Sequence, residues 1–361
     1  LTNKLDDRIL YPGEYLQYRG EDNRTFIDKS KGVYLYDKTG HKMIDGPGGM
    51  WNVNVGHGVK EIADAIHEQI RKMPYASPFS ESTEIATTYA TRLVKYAPGD
   101  LKRVFFTSGG SPAVDSALRF VMFYNNVRGL KEKKLIISRH DAYHGSTYLS
   151  ASCSGKERDK NNFDFADDIV HHLSSPNPFR KDKNLSDEEF CDIKVKELED
   201  KILELGSDKV AAFIAEPILA SGGVIIPPKG YHKKTLEICR KHNILYISDE
   251  IVTGFGRLGH IMSSEEHFDV TPDIILLAKG ITSGYVPCGA VVISEALMAD
   301  LDNKEKVIFS NGFTDSGHPV AMAAAHATLD FMENNNLLDH VKKVAPYFQS
   351  KLSELIDLPR R

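Results

Sequence analysis

From residue 103 onward, short apolar runs alternate with helical patterns, and this alternation leaves few folds open. Arg103-Val104-Phe105-Phe106 reads as a strand, as do 134–138, 210–215, 244–248, 274–277 and 288–293. Helical patterns near 187–205, 231–242 and 296–301 fall between several of them. Ser111-Pro112 opens a further helix, since serine suits the N-cap and proline the first helical position. Val114, Ala117, Leu118 and Val121 form its buried stripe. Strands separated by helices predict an α/β protein with a mostly parallel sheet covered on both faces.

Upstream, 33–45 predicts a small hairpin across Lys38-Thr39-Gly40. The segment Gly46-Pro47-Gly48-Gly49 follows, then helical patterns through about 59–72 and 81–96. Downstream, long helical patterns over about 318–334 and 337–356 lead out of the sheet. The polar stretches 155–164 and 175–186 read as exposed loops, and there is no internal repeat.

Composition excludes several classes. The 361 residues carry 45 basic and 50 acidic side chains, a formal charge of −5 with no basic block, so no nucleic-acid surface is expected. An anionic substrate would have to be met by a local positive site. Cys153, Cys191, Cys239 and Cys288 are far apart, with no paired spacing, which fits a reducing compartment. No apolar run approaches a membrane span, and Leu1 to Asp7 do not read as a signal peptide; the expected location is cytoplasmic.

Four features sit at strand ends or helix starts, where open α/β sheets place ligands. Thr107-Ser108-Gly109-Gly110-Ser111 could cradle an anion with backbone N–H groups, or be a plain strand-to-helix turn. Asp249-Glu250 closes an apolar strand; Asp249 could hold a proton on a ring nitrogen, cap a helix or bind a metal, although no His or Cys cluster supports a metal. Lys279, in Ala278-Lys279-Gly280, follows another apolar strand, where burial would make its amine a better nucleophile; it could also snorkel to the surface. Phe313 to Pro319 precede a long helix and offer a second anion contact or an ordinary helix start. Together, in this chain order, an anion turn, an aspartate and a lysine are the parts that pyridoxal 5′-phosphate needs.

With these residues in place, the sequence resembles the class III (subgroup II, ω-amino acid) pyridoxal-phosphate-dependent aminotransferases. The resemblance runs from about residue 30 to 335 through Phe105 to Ala117, Tyr143-His144-Gly145, Ala215-Glu216-Pro217, Asp249-Glu250, Thr253-Gly254-Phe255-Gly256-Arg257, Ala278-Lys279-Gly280 and Gly312 to Pro319. It implies the fold-type I architecture: an N-terminal segment of the small domain (1–60), a large cofactor domain (61–330) and the start of a C-terminal small domain (331–361) that is largely missing. It implies Lys279 as the Schiff-base lysine and acid/base, and Asp249 as partner of the pyridine nitrogen. Ile251 and Tyr143 flank the ring, Gly109, Gly110 and Ser111 hold the phosphate, and Glu216 orders residues near the ring hydroxyl. Phe313 and Thr314 reach the phosphate of a neighbouring subunit, which implies a homodimer with shared active sites. Trp51 either lines the substrate pocket or is a core aromatic. His144 is favoured only weakly, and Glu250 with Arg257 reads as an ion pair or loop brace.

The chain departs from the family at Gly109 (usually Ser), at Pro112 (commonly Glu) and at Ser221, where ornithine-type members carry a second glutamate. The family's carboxylate-binding arginine lies in the small domain, which is short here. The activity implied is transamination from an amine or ω-amino acid to a keto acid such as pyruvate via pyridoxamine phosphate. The same parts serve racemases, aminomutases and decarboxylases, and a truncated, inactive dimer is the non-enzymatic alternative.

Overall fold

The computed structural model describes residues 9–18, 24–302 and 304–355; Leu1 to Asp7 and the end of the last helical pattern, at 356, lie outside them. Ile27–Lys31 (β1), Tyr34–Asp37 (β2) and Lys42–Ile44 (β3) form a small antiparallel sheet. The expected hairpin is β2–β3. Its turn is held by Asp37, whose Oδ1 accepts the Thr39 and His41 N–H groups at 2.8 and 2.9 Å, with Gly40 at φ +85°. Strand β1 was not expected: all five of its residues are exposed, so it has no apolar alternation to announce it.

The main sheet contains Leu101–Thr107 (β4), Leu135–Arg139 (β5), Val170–Leu173 (β6), Val210–Ala215 (β7), Leu245–Asp249 (β8), Ile274–Leu277 (β9) and Gly289–Ser294 (β10), in the order β4-β10-β9-β8-β7-β5-β6. All pairings from β9 through β8, β7 and β5 to β6 are parallel, and β10 is antiparallel to both of its neighbours. The reason is chain length. A parallel crossover needs a dozen or more residues, usually with a helix, and 278–288 holds only the short turn Lys279–Thr282. Strand β6 escaped the sequence reading because His171 and His172 interrupt its apolar run.

Alternate residues of the central strands face opposite layers. Ile274 and Leu276 pack with Val114, Ala117 and Val121 of the helix Gly110–Val127. Ile275 and Leu277 pack with Met322, Ala325 and Leu329 of the helix Pro319–Asn334. Each valine, leucine, isoleucine or methionine among them contributes roughly 1.5–3 kcal/mol on full burial. A third cluster joins Phe213 and Tyr246 to Leu198 and Ile202 of the helix Asp187–Leu205. That helix starts where its sequence says it should: Ser186 Oγ accepts the Glu189 N–H, and Glu189 returns the bond to the Ser186 N–H.

The helix after β4 starts earlier than Ser111-Pro112 suggested. Its N-cap is Gly109, without a side-chain cap, and Ser111 lies inside the first turn. Gly289 of β10 permits this turn to close. A Cβ there would stand 2.5 Å from the Gly109 carbonyl oxygen and 2.6 Å from Thr107 Oγ1. Gly289→Ala should therefore destabilise the protein by about 1–3 kcal/mol through overpacking against backbone. Urea unfolding would check this, and an unchanged midpoint would contradict it.

Candidate active site

Parallel strands end on one edge of a sheet, so β5, β7, β8 and β9 deliver the residues that follow them to the same side. A cleft of about 730 Å³ opens there. The turn after β4 supplies Gly109, Gly110 and Ser111; the loop after β5 supplies Tyr143 and His144; β7 is followed by Glu216, β8 ends on Asp249, and Lys279 follows β9. All eight line the cleft, together with Ile251 and Trp51.

The glycine turn has the chemistry of an anion cradle. The first N–H groups of a helix have no carbonyl within the helix to accept them, and the helix dipole favours negative charge there. Gly110 is tightly packed: a Cβ would lie 3.1 Å from Ile251 Cδ1. Gly109 is different. Its backbone is extended and a Cβ would meet nothing within 4 Å, so a serine would fit as well. Ser111 Oγ accepts the Ser146 N–H at 3.0 Å, which ties the turn to the loop after β5. Gly145 makes the junction possible at φ +143°, where a Cβ would sit 2.6 Å from Ser111 Oγ.

The inner wall is acidic and ordered. Asp249 is buried; its Oδ2 lies 2.7 Å from His144 Nδ1, and its Oδ1 accepts the Ile251 N–H at 3.1 Å. His144 Nε2 is buried without a partner, so this ring serves the aspartate and no other protein group. Here the structure decides a residue that the sequence left open. Glu216 Oε1 accepts the Tyr143 N–H at 2.9 Å and Oε2 accepts the Ala220 N–H at 3.1 Å. Burial pushes the Glu216 carboxyl above its usual value, partly offset by His144 and raised further by Asp249.

Lys279 makes no hydrogen bond or ion pair among the described residues. Burial pulls its ammonium below the ordinary lysine value, against the pull of Asp249 and Glu216. Its backbone is left-handed at φ +46°, as is that of Trp51 at φ +59°. Such conformations are costly for residues with side chains and concentrate at functional sites. Trp51 is half-buried on the cleft wall, outside the hydrophobic core.

Other expectations change. Glu250 does not pair with Arg257. It is fully buried, and its two oxygens accept the N–H and hydroxyl groups of Ser263 and Ser264. Arg257 donates to Asn54 Oδ1 at 2.9 Å. Both are loop braces. Phe313 and Thr314 lie outside the cleft of their own chain; Thr314 is exposed, and its carbonyl accepts from Tyr75 Oη at 3.1 Å. Lys156 lines the cleft although 155–164 read as a wholly exposed loop. Its signal in the sequence was only its closeness to Tyr143. No group of three or more His, Cys, Asp or Glu that could hold a metal occurs among the described residues, and none of their helices is long and apolar enough to cross a membrane.

The lowered lysine value has a sign that can be tested. The unfolded chain binds the Lys279 proton more tightly than the folded cofactor-free chain, so burying this group opposes folding at neutral pH. Lys279→Met should stabilise the cofactor-free protein near neutrality. The gain should shrink as pH rises through the folded value towards the ordinary lysine value, and vanish above it, where the wild-type amine is neutral in both states. Denaturant midpoints across that range would show it; a pH-independent difference would contradict it.

Comparisons with known proteins bear on the family and the fold. A family model described as aminotransferase class-III matches residues 16–360. Putrescine–pyruvate aminotransferase of Pseudomonas aeruginosa is 38% identical over 355 residues, covering 98% of this chain and 77% of that protein. The mitochondrial γ-aminobutyrate transaminase 1 of Oryza sativa subsp. indica is 38% identical over 338 residues, covering 92% of this chain and 65% of that protein. The crystal structure of a thermostable ω-transaminase sixfold mutant from Pseudomonas jessenii superposes with a TM-score of 0.96 at 34% identity, covering 99% of this chain and 80% of that one. With family, fold and sheet-edge site in agreement, the chain belongs to the class-III aminotransferases, the pyridoxal-phosphate-dependent transaminases of this fold.

Proposed function

We propose that the cleft moves an amino group from an amine or ω-amino acid to a keto acid such as pyruvate. One observation carries the reading: a half-buried lysine, without a side-chain partner among the described residues, shares a cleft with an aspartate held by a histidine. The residues fit pyridoxal phosphate. The helix start at Gly110 and Ser111, with Gly109, suits its phosphate; Asp249 suits a protonated ring nitrogen; Lys279 suits its aldehyde. When bound, the cofactor supplies an electron sink that loosens a bond at the amino-bearing carbon.

The rest is work for the protein. Lys279 would hold the cofactor, and its Nζ would take and return the proton at that carbon. The lowered proton affinity of this amine suits both tasks at neutral pH. His144 Nδ1 fixes the orientation of Asp249, which would partner the ring nitrogen. Tyr143 and Ile251 confine the ring, Tyr143 being set by its N–H bond to Glu216. Trp51, half-buried on the cleft wall, would shape the amine site. That Phe313 and Thr314 lie away from their own cleft supports a role for them at the phosphate site of a second copy, in a homodimer with shared active sites. All four cysteines are free and buried, which supports a reducing location such as the cytoplasm.

Among the relatives, putrescine–pyruvate aminotransferase supports an amine donor with pyruvate as acceptor, and the γ-aminobutyrate transaminases support an ω-amino acid donor. Purified protein loaded with pyridoxal phosphate should form alanine from pyruvate with a member of an amine and ω-amino acid panel. Borohydride should fix the cofactor to Lys279, located by peptide mass. Lys279→Ala should lose that label and slow transfer by more than about 10³-fold. A label elsewhere, or transfer that survives the substitution, would overturn the assignment; racemised or decarboxylated donor without alanine would point to other chemistry on the same parts. Light scattering should give twice the chain mass, and a monomer with full activity would remove the shared-site reading.

A further inference from the structure

We propose that Lys156 and Ser221 form the carboxylate contact of this cleft. The proposal rests on the transaminase reading, and it names the substrate group that the outer wall recognises.

The charges of the cleft are unevenly placed. Asp249 and Glu216 occupy the inner wall, so a substrate carboxylate placed there would meet two buried carboxylates. The outer wall near Met50 and Trp51 is apolar, and Lys156 and Arg158 bring cations to the cleft besides Lys279. These two differ in exposure. The Arg158 side chain is 77% exposed and water screens it, whereas that of Lys156 is 11% exposed. The Lys156 ammonium stands 5.3 Å from the centre of the Tyr143 ring, next to the expected place of the cofactor ring.

Hydrogen-bond accounting then favours an anion. Lys156 Nζ has three N–H groups. One is donated to Ser221 Oγ at 2.9 Å, and the ammonium is ion-paired with Asp159 Oδ2 at 2.8 Å, so at most two of the three are committed. Ser221 accepts from Lys156, so its own hydroxyl proton remains to be donated. One ammonium N–H and one hydroxyl, on adjacent groups lining the same cleft, make a pair of donors for a carboxylate. Asp159 competes for the same ammonium. A second open hollow of about 640 Å³ shares Lys156, Arg158 and Ser221, so a chain longer than pyruvate has room beyond the contact.

The test uses the cofactor-loaded protein and propionate, a carboxylate that cannot react. Calorimetry should show Kd for propionate rising about tenfold in Lys156→Met and less in Ser221→Ala. Asp159→Asn should lower Kd, because it frees the ammonium. That opposite sign separates a contact from a merely structural role and needs no folded Lys156 variant. KM for pyruvate and for β-alanine, measured separately, then shows whether the contact serves acceptor, donor or both; each of these supports the proposal. Propionate binding unmoved by Lys156→Met and Asp159→Asn would overturn it. Propionate binding that follows these variants in a protein unable to transfer amino groups would instead count against the transaminase reading alone.

Discussion

The parallel ladder of β7, β8 and β9 decides where the charged groups of this protein can stand. Ala215 pairs with Ser248, and Asp249 pairs with Leu276, so Glu216, Asp249 and Lys279 leave the sheet as neighbours at one edge. A slip of one residue would turn each strand over and send its side chains to the opposite layer. The apolar fit of Ile274 and Leu276 to one helical layer, and of Ile275 and Leu277 to the other, holds the register. The site is thus a by-product of core packing, and its precision comes from strands that water never reaches.

Such a sheet edge needs support, because it gathers buried polar groups. Each has a specific partner. Asp249 has His144, Glu216 has two N–H donors, and Glu250 has Ser263 and Ser264. Arg139, fully buried, donates to the Glu216 carbonyl at 2.6 Å. Lys279 is the exception: it is desolvated and unpaired, in a left-handed backbone. An amine kept in that condition, beside carboxylates that each have partners, marks a place where free energy goes to chemistry rather than stability.

Much of this was legible in the sequence because it is local. Val210–Ala215 and Ile274–Leu277 are uninterrupted apolar runs, and the structure returns them with the expected ends. Strands β1 and β6 were not legible, since one is exposed and the other carries two histidines. Gly109, Gly110, Ser111, Asp249 and Lys279 stood out at strand ends and helix starts, Tyr143, Glu216 and Ile251 were implied by the resemblance to the family, and one cleft contains all eight. The helix start was misjudged because Gly109 caps through backbone alone, whereas serine advertises a side-chain cap that it does not make.

The sequence by itself determined the α/β class, the chain order of anion turn, aspartate and lysine, and the family to which they point. It could do so because period, turn chemistry and motif spacing are properties of neighbours along the chain. Tertiary structure alone decided that His144 serves Asp249, 105 positions away, that Ser221 receives Lys156 across 65, and that Glu250 braces two serines instead of Arg257. It also left Phe313 and Thr314 outside their own cleft. These outcomes depend on which strand ends meet. That is set by the packing of whole layers and by the short return from β9 to β10, and no local pattern records it.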